Sequence, residues 1–325
     1  MIAPLAVTCG EPAGIGPEIA VEAWRQIGRR IPMVYLGDPR HLPPETPWVE
    51  VPAPAAVPSV RNALPVLAHE FATSQAPGTP VGENAKGVVE VIERAVALAQ
   101  SGACSGVVTS PIHKKALQDG AGFAFPGHTE FLAHLGGVSR VVMMLAGPSL
   151  RVVPVTIHIA LAEVKARLTA EFLRETILIT DRGLRRDFGL ETPRLAISGL
   201  NPHAGEGGAM GREEIEIINP VIAAMRSEGY SLSGPHSADT LFHVKARARY
   251  DAAICMYHDQ ALIPIKTLDF DQGVNVTLGL PFVRTSPDHG TAFDIAGKGV
   301  ADPSSMIAAL EMAAQMAKAR AGVPA

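Results

Sequence analysis

The chain has 325 residues, too many for one ordinary hydrophobic core, so two domains are expected. Its composition, 47% hydrophobic and 18% charged, is that of a folded globular protein. A formal net charge of −4, without long runs of either sign, argues against a nucleic-acid surface and for a small ligand.

Along the chain, short apolar runs alternate with longer amphipathic ones. "PLAVTC" reads as a strand, "GIGPEIAVEAWRQI" as a turn and helix, and "PMVYLGD" as a strand. Residues 43–65 hold seven prolines and predict irregular structure with little regular helix. "GENAKGVVEVIERAVALAQSG" predicts a helix, with Val88, Val91, Ile92, Ala95 and Val96 on one face and Gly102 as its stop. "GVVTS" then reads as a strand and "PIHKKALQDG" as a helix. "RVVPVTIH", "RLAISGLN" and "DAAICMYH" follow as strands. The helices between and after them are "AEVKARLTAEFLRETILITDRGLRRDFG", "REEIEIINPVIAAMRSEG" and, last, "PSSMIAALEMAAQMAKARAG". Strands apolar throughout and separated by helices indicate an α/β fold with a mostly parallel sheet, buried on both faces. No apolar run approaches a membrane span, and the start lacks the basic region of a signal peptide. Cys9, Cys104 and Cys255 show no CxxC spacing and suit reduced thiols in a cytoplasmic protein.

Three histidines share one position in this scheme. His158, His203 and His258 each stand at the carboxyl end of a predicted strand, where open α/β sheets place their ligand sites. Imidazole nitrogens suit zinc, cobalt or manganese, and three protein ligands with open positions describe a catalytic metal. Any one of them alone reads as an ordinary loop or core histidine; three at the same height point to a metal. His41, His69, His134, His236 and His243 lack this placement. After His203, "AGEGGAMG" leads into a helix and lets backbone approach an anion, yet it matches neither the P-loop nor GxGxxG spacing, and a plain strand-to-helix turn accounts for it as well. A second group could grip an anionic substrate: His128 and Thr129 in "FPGHTEF", Lys266 in "IPIKTLDF", and Asn275 and Arg284 in "GVNVTLGLPFVRTSPDHG". Lys266 and Arg284 lie in apolar surroundings, as cations facing a ligand do, although a solvated strand end would read the same way.

"GEPAGIGPE", "FPGHTEF", "LNPHAGEGG", "ADTLF", "YHDQ" and "DHGTAFDIAGKG", spread from residue 10 to residue 299, together resemble the 4-hydroxythreonine-4-phosphate dehydrogenase family of pyridoxal 5'-phosphate biosynthesis. "GIGPEI" and "HGTAFDIAGKGVADP" are also similar to the isocitrate and isopropylmalate dehydrogenases. The resemblance implies two α/β domains with the active site in the interdomain cleft and a homodimer completing it. It implies metal ligands at His158, His203 and His258, and substrate contacts at His128, Thr129, Lys266, Asn275 and Arg284. The wider group implies that His289, Gly290, Thr291, Ala292 and Asp294 hold NAD or NADP. The expected domains are 1–125 plus 285–325, on the cofactor side, and 126–284, carrying metal and substrate. The implied metal is one divalent ion: zinc, cobalt or magnesium.

The implied reaction is oxidation of 4-phosphooxy-L-threonine, a phosphorylated hydroxy amino acid, at its 3-hydroxyl, then decarboxylation. Asp259, Asp239 or Lys266 could take the hydroxyl proton, while Asp259 could instead orient the neighbouring His258. Relatives acting on 4-phospho-D-threonate or 4-phospho-D-erythronate, or on cis-dihydrodiols, are alternatives within the group. A metal-dependent hydrolase or a metal-storage protein would leave "HGTAFDIAGKG" unexplained.

Overall fold

The computed structural model describes residues 2–322. Contacts divide the chain into two units, Met1–Val141 with Leu280–Ala325, and Val142–Gly279. The expected crossing at residue 125 thus falls after Val141. The reason lies in "FAFPGHTEFLAHL": helix His128–Leu135 is held in the first unit by Phe131, whose ring meets Phe123 and Phe125 at 5.1 Å each.

The first unit contains strands β1 (Leu5–Thr8), β2 (Met33–Gly37), β3 (Trp48–Glu50), β4 (Leu64–Ala68), β5 (Gly106–Thr109) and, after the chain returns, the strand Arg284–Pro287. Their order across the sheet is β3-β4-β2-β1-β5 and then Arg284–Pro287, with the measured pairings parallel. Except for the exposed edge strand β3, nearly every strand residue is buried, which is why these runs carry no apolar alternation. Helices Ala85–Gln100 and Ser304–Arg320 pack on this sheet. The first buries Val88, Val91, Ile92, Ala95 and Val96, the face anticipated from its spacing. The proline-rich segment is more regular than expected, since β3 and the start of β4 lie within it. The register with β2 begins at Tyr35 and Val66, so the missing N–H of Pro65 falls outside that ladder.

The second unit contains β6 (Val142–Ala146), β7 (Arg151–Pro154), β8 (Leu195–Ser198), β9 (Leu232–His236), β10 (Ala252–Cys255) and β11 (Val274–Leu278), with β12 then the Arg284–Pro287 strand of the first unit. The order is β11-β6-β7-β10-β8-β9. β6 runs antiparallel to both neighbours, and the measured pairings from β7 to β9 are parallel. The long helix expected over "AEVKARLTAEFLRETILITDRGLRRDFG" breaks at Leu168–Thr169. Thr169 is extended and its hydroxyl accepts from Phe172 N at 3.1 Å, starting a new helix, Ala170–Phe188. Helix His258–Leu268 buries Ala261, Leu262 and Ile265 in a cluster with Val152, Ala196, Ala253 and Cys255. Among the described residues no helix is long and apolar enough to cross a membrane.

Candidate active site

In the second unit the three histidine-bearing strands are neighbours, in the order β7, β10, β8. Side-chain and backbone bonds continue beyond the strand ends and keep the departing chains together. Val155 N donates to Cys255 O at 2.7 Å, and Thr156 Oγ1 donates to Met256 O at 2.8 Å. Gln260 spans the other gap. Its Oε1 accepts from Ser198 Oγ and from Met256 N, both at 2.7 Å, and its Nε2 donates to Gly199 O at 2.8 Å.

The imidazoles of His158 and His258 stand 5.9 Å apart between ring centroids. They line a pocket of about 320 Å³ with Thr156, Leu161, Val164, Tyr257 and Asp259. The Asp259 carboxylate accepts from His258 Nδ1 at 2.7 Å. An ionised carboxylate only accepts, so Nδ1 is the donor of this bond and Nε2 is the ring nitrogen left facing away from Asp259. His203 opens a left-handed turn: His203, Ala204, Gly205, Glu206 and Gly207 have φ of 51°, 51°, 78°, 41° and 67°. Such a run costs roughly 1–2 kcal/mol per non-glycine residue and persists only when its surroundings enforce it. Nearby Asp239 is exposed. The Ser237 hydroxyl foremost, and His203 among lesser influences, hold its carboxyl below the usual range.

Among the described residues no three His, Cys, Asp or Glu side chains converge as one ligand group. The structure brings His158 and His258 together, and places His203 on the loop after the adjoining strand. Two imidazoles on one pocket and a third on that loop are chemically suited to a divalent ion.

Lys266 is half-buried in the last turn of helix His258–Leu268, not at a strand end, with its ammonium 5.9 Å from the Phe270 ring centroid. Asn275, on β11, has a buried Oδ1 without a protein partner.

In the first unit, β1, β5 and β12 are neighbours. Arg284, first in β12, is 3% exposed and donates to Thr109 Oγ1 from Nε at 3.2 Å and from Nη2 at 2.8 Å. Burial pulls its pKa down to about 10. His128 begins helix His128–Leu135, followed by Thr129; burial first, then the charge of Arg284, holds the imidazole well below its ordinary pKa and so neutral. Its Nε2 is buried without a protein partner.

The loop His289–Asp294 follows β12. Thr291 O accepts from Ile15 N at 3.0 Å, and Phe293 meets the His113 ring edge-on at 5.1 Å. His289 and Gly290 are exposed, Ala292 has φ 46°, and Asp294 is exposed. Ser110 Oγ and His113 Nδ1 are buried without protein partners at the end of β5. Sequence reasoning passed over these two, although "TSPIH" stands at a strand end as the three histidines do. It also gave no role to Gln260 of "YHDQ".

The family model for "Pyridoxal phosphate biosynthetic protein PdxA" matches residues 32–313. The chain is 64% identical to a 4-hydroxythreonine-4-phosphate dehydrogenase of Ruegeria sp. (strain TM1040), over 97% of each chain. A crystal structure of 4-hydroxythreonine-4-phosphate dehydrogenase from Klebsiella pneumoniae superposes with TM-score 0.89 and 39% identity, covering 97% of this chain and 99% of that one. A terephthalate 1,2-cis-dihydrodiol dehydrogenase from Burkholderia xenovorans is more distant, at TM-score 0.69 and 28% identity over all of both chains. These matches define an α/β oxidoreductase of the dehydrogenase class. Within that class the chain belongs to the PdxA family of pyridoxal phosphate biosynthesis.

Proposed function

We propose that the chain oxidises 4-phosphooxy-L-threonine at its 3-hydroxyl with NAD or NADP, and that decarboxylation then yields 3-amino-2-oxopropyl phosphate. The observation that carries this reading is the set of three histidines released by the neighbouring strands β7, β10 and β8, in a chain that is 64% identical to a named enzyme of this activity. His158, His203 and His258 would hold one divalent ion, zinc, cobalt or magnesium. When bound, the ion supplies Lewis acidity toward an alcohol oxygen and the nicotinamide supplies a hydride acceptor.

The remaining work belongs to the chain's own groups. Asp259 fixes the His258 tautomer through Nδ1. Lys266 and Asp259 are the candidate groups for taking the hydroxyl proton. The 2-amino-3-oxo acid so formed is a β-keto acid and loses its carboxylate as carbon dioxide. Arg284, a buried cation beside neutral His128, suits one anionic group of the substrate, with Thr129, Lys266 and Asn275 as further contacts. His289, Gly290, Thr291, Ala292 and Asp294 are proposed to seat the dinucleotide. A homodimer is supported by large exposed apolar side chains on the second unit: Leu161 at 70%, Val244 at 72%, Ile263 at 64% and Phe270 at 72%. A cytoplasmic setting suits its three free, buried thiols.

The test is an NADH-linked assay that compares 4-phosphooxy-L-threonine with 4-phospho-D-threonate and 4-phospho-D-erythronate. The highest kcat/KM is expected for the amino compound. A higher value for either hydroxy acid would reassign the substrate within the family.

A further inference from the structure

A left-handed turn with three non-glycine residues needs an external hold, and the structure supplies one that the chemistry above does not use. Glu214 is 2% exposed, at the start of a π-helical turn, Glu214–Ile218. Its Oε1 accepts from Leu200 N and Asn201 N, both at 2.8 Å, and its Oε2 accepts from Asn201 Nδ2 at 2.9 Å. Glu213, 6% exposed, accepts from the same Asn201 Nδ2 at 2.8 Å and from Arg212 N at 3.0 Å. Its other oxygen pairs with Lys165 Nζ at 2.8 Å. Lys165 lies in the helical turn Val164–Arg167, and Val164 lines the pocket of His158 and His258.

The glycines of this segment fit the same pair of carboxylates. A Cβ at Gly205, where φ is +78°, would lie 2.6 Å from Glu214 Oε2. One at Gly211, where φ is +129°, would lie 2.4 Å from Asn201 Nδ2 and 2.8 Å from Glu213 Oε2. Two of the four glycines of "AGEGGAMG", Gly205 and Gly211, therefore admit carboxylates of the protein itself.

We propose that Glu214, assisted by Glu213 and Asn201, is a positioning residue that holds the left-handed His203 turn and, through Lys165, ties it to the wall of the pocket carrying His158 and His258. This inference rests on the proposed role of His203 as a metal ligand. It assigns Glu214 no contact with substrate or metal. Glu213, immediately before the π-helical turn, and Glu214, its first residue, both accept from the one Asn201 amide. Two part-buried backbone N–H groups depend on Glu214, while Asn201 Nδ2 shares it with Glu213, so its removal leaves two backbone donors without that partner at once.

The test uses the full-length protein and four variants: Glu214→Ala, Glu214→Gln, Gly205→Ala and His203→Ala. Two readouts are independent of activity: zinc affinity by competition with a chromophoric chelator, and amide hydrogen exchange over residues 199–211. Glu214→Ala should weaken zinc at least about tenfold and speed exchange in that segment, with strands β7 and β10 unchanged. Glu214→Gln keeps an oxygen for the two backbone donors and should stay within about threefold of the parent. Gly205→Ala should reproduce the Glu214→Ala behaviour without removing a donor or acceptor. Unchanged exchange and zinc affinity in a folded Glu214→Ala protein would overturn the proposal. If Glu214→Ala does not fold, Gly205→Ala carries the same two outcomes. Should the parent and His203→Ala bind zinc equally, the ligand role of His203 fails; exchange alone then supports or overturns the clamp.

Discussion

Replacing Gln260 by leucine should test the frame that sets the histidine strands in register. Gln260 is 9% exposed and joins three groups: Ser198 Oγ, Met256 N and Gly199 O. The loss is uneven across them. Ser198 Oγ also lies 2.8 Å from Gly199 O, so in the variant its one proton turns to that carbonyl and the two groups satisfy each other. Met256 is 0% exposed, and its N–H is left without its partner. One orphaned buried N–H costs about 1–3 kcal/mol, and the two remaining lost bonds add about 1 kcal/mol between them after that compensation. Leucine approximates the glutamine volume, so a large cavity contribution is not expected. The total is about 2–4 kcal/mol. Urea unfolding should show a lower midpoint with an unchanged slope, and the Met256 amide should exchange faster than in the parent. A loss below about 1 kcal/mol, with Met256 exchange unchanged, would refute the reasoning.

His128 should make the protein acid-labile. Its folded pKa lies well below the ordinary value while its unfolded pKa is near 6.5, so its favourable contribution is complete above about pH 6.5 and is lost as pH falls toward the folded value, at up to about 1.4 kcal/mol per pH unit. His128→Asn should flatten the stability profile between about pH 6.5 and 5, measured as urea midpoints. Arg284→Met should raise KM for 4-phosphooxy-L-threonine about 30-fold or more, from the loss of roughly 2 kcal/mol or more for one buried ionic partner; an unchanged KM would place the anion elsewhere. Thr169→Ala removes the hydroxyl cap on Phe172 N and should cost about 1 kcal/mol, read as a melting shift with kcat unchanged.

The positions of His158, His203 and His258 were legible because a strand end is a local property, announced by apolar runs such as "VVPVTIH" and "AAICMYH". The neighbourhood of their strands was not, since the order β7-β10-β8 depends on pairings between residues 57 positions apart (252 minus 195) and 101 positions apart (253 minus 152). Helix His258–Leu268 carries Pro264 in its interior, a residue that by itself argues against a helix. Burial of Ala261, Leu262 and Ile265 outweighs the one ladder bond it removes. Glu213 and Glu214 were illegible for a different reason. In "REEIEIINP" they look like a solvated face, and only the fold shows the Asn201 amide and the backbone donors that make their burial tolerable. Arg284 was legible as a cation in an apolar run, whereas its neighbour His128 is 156 positions away in sequence (284 minus 128) and becomes its partner only in the sheet unit.

The most direct measurement is NADH formation from 4-phosphooxy-L-threonine by protein stripped with a chelator, before and after zinc, cobalt or magnesium is restored singly. Turnover should fall at least about a hundredfold on stripping, as expected when about 3 kcal/mol of charge stabilisation is lost, and should return with a divalent ion in the parent but not in His203→Ala. Full turnover by the stripped protein would contradict the proposed metal role.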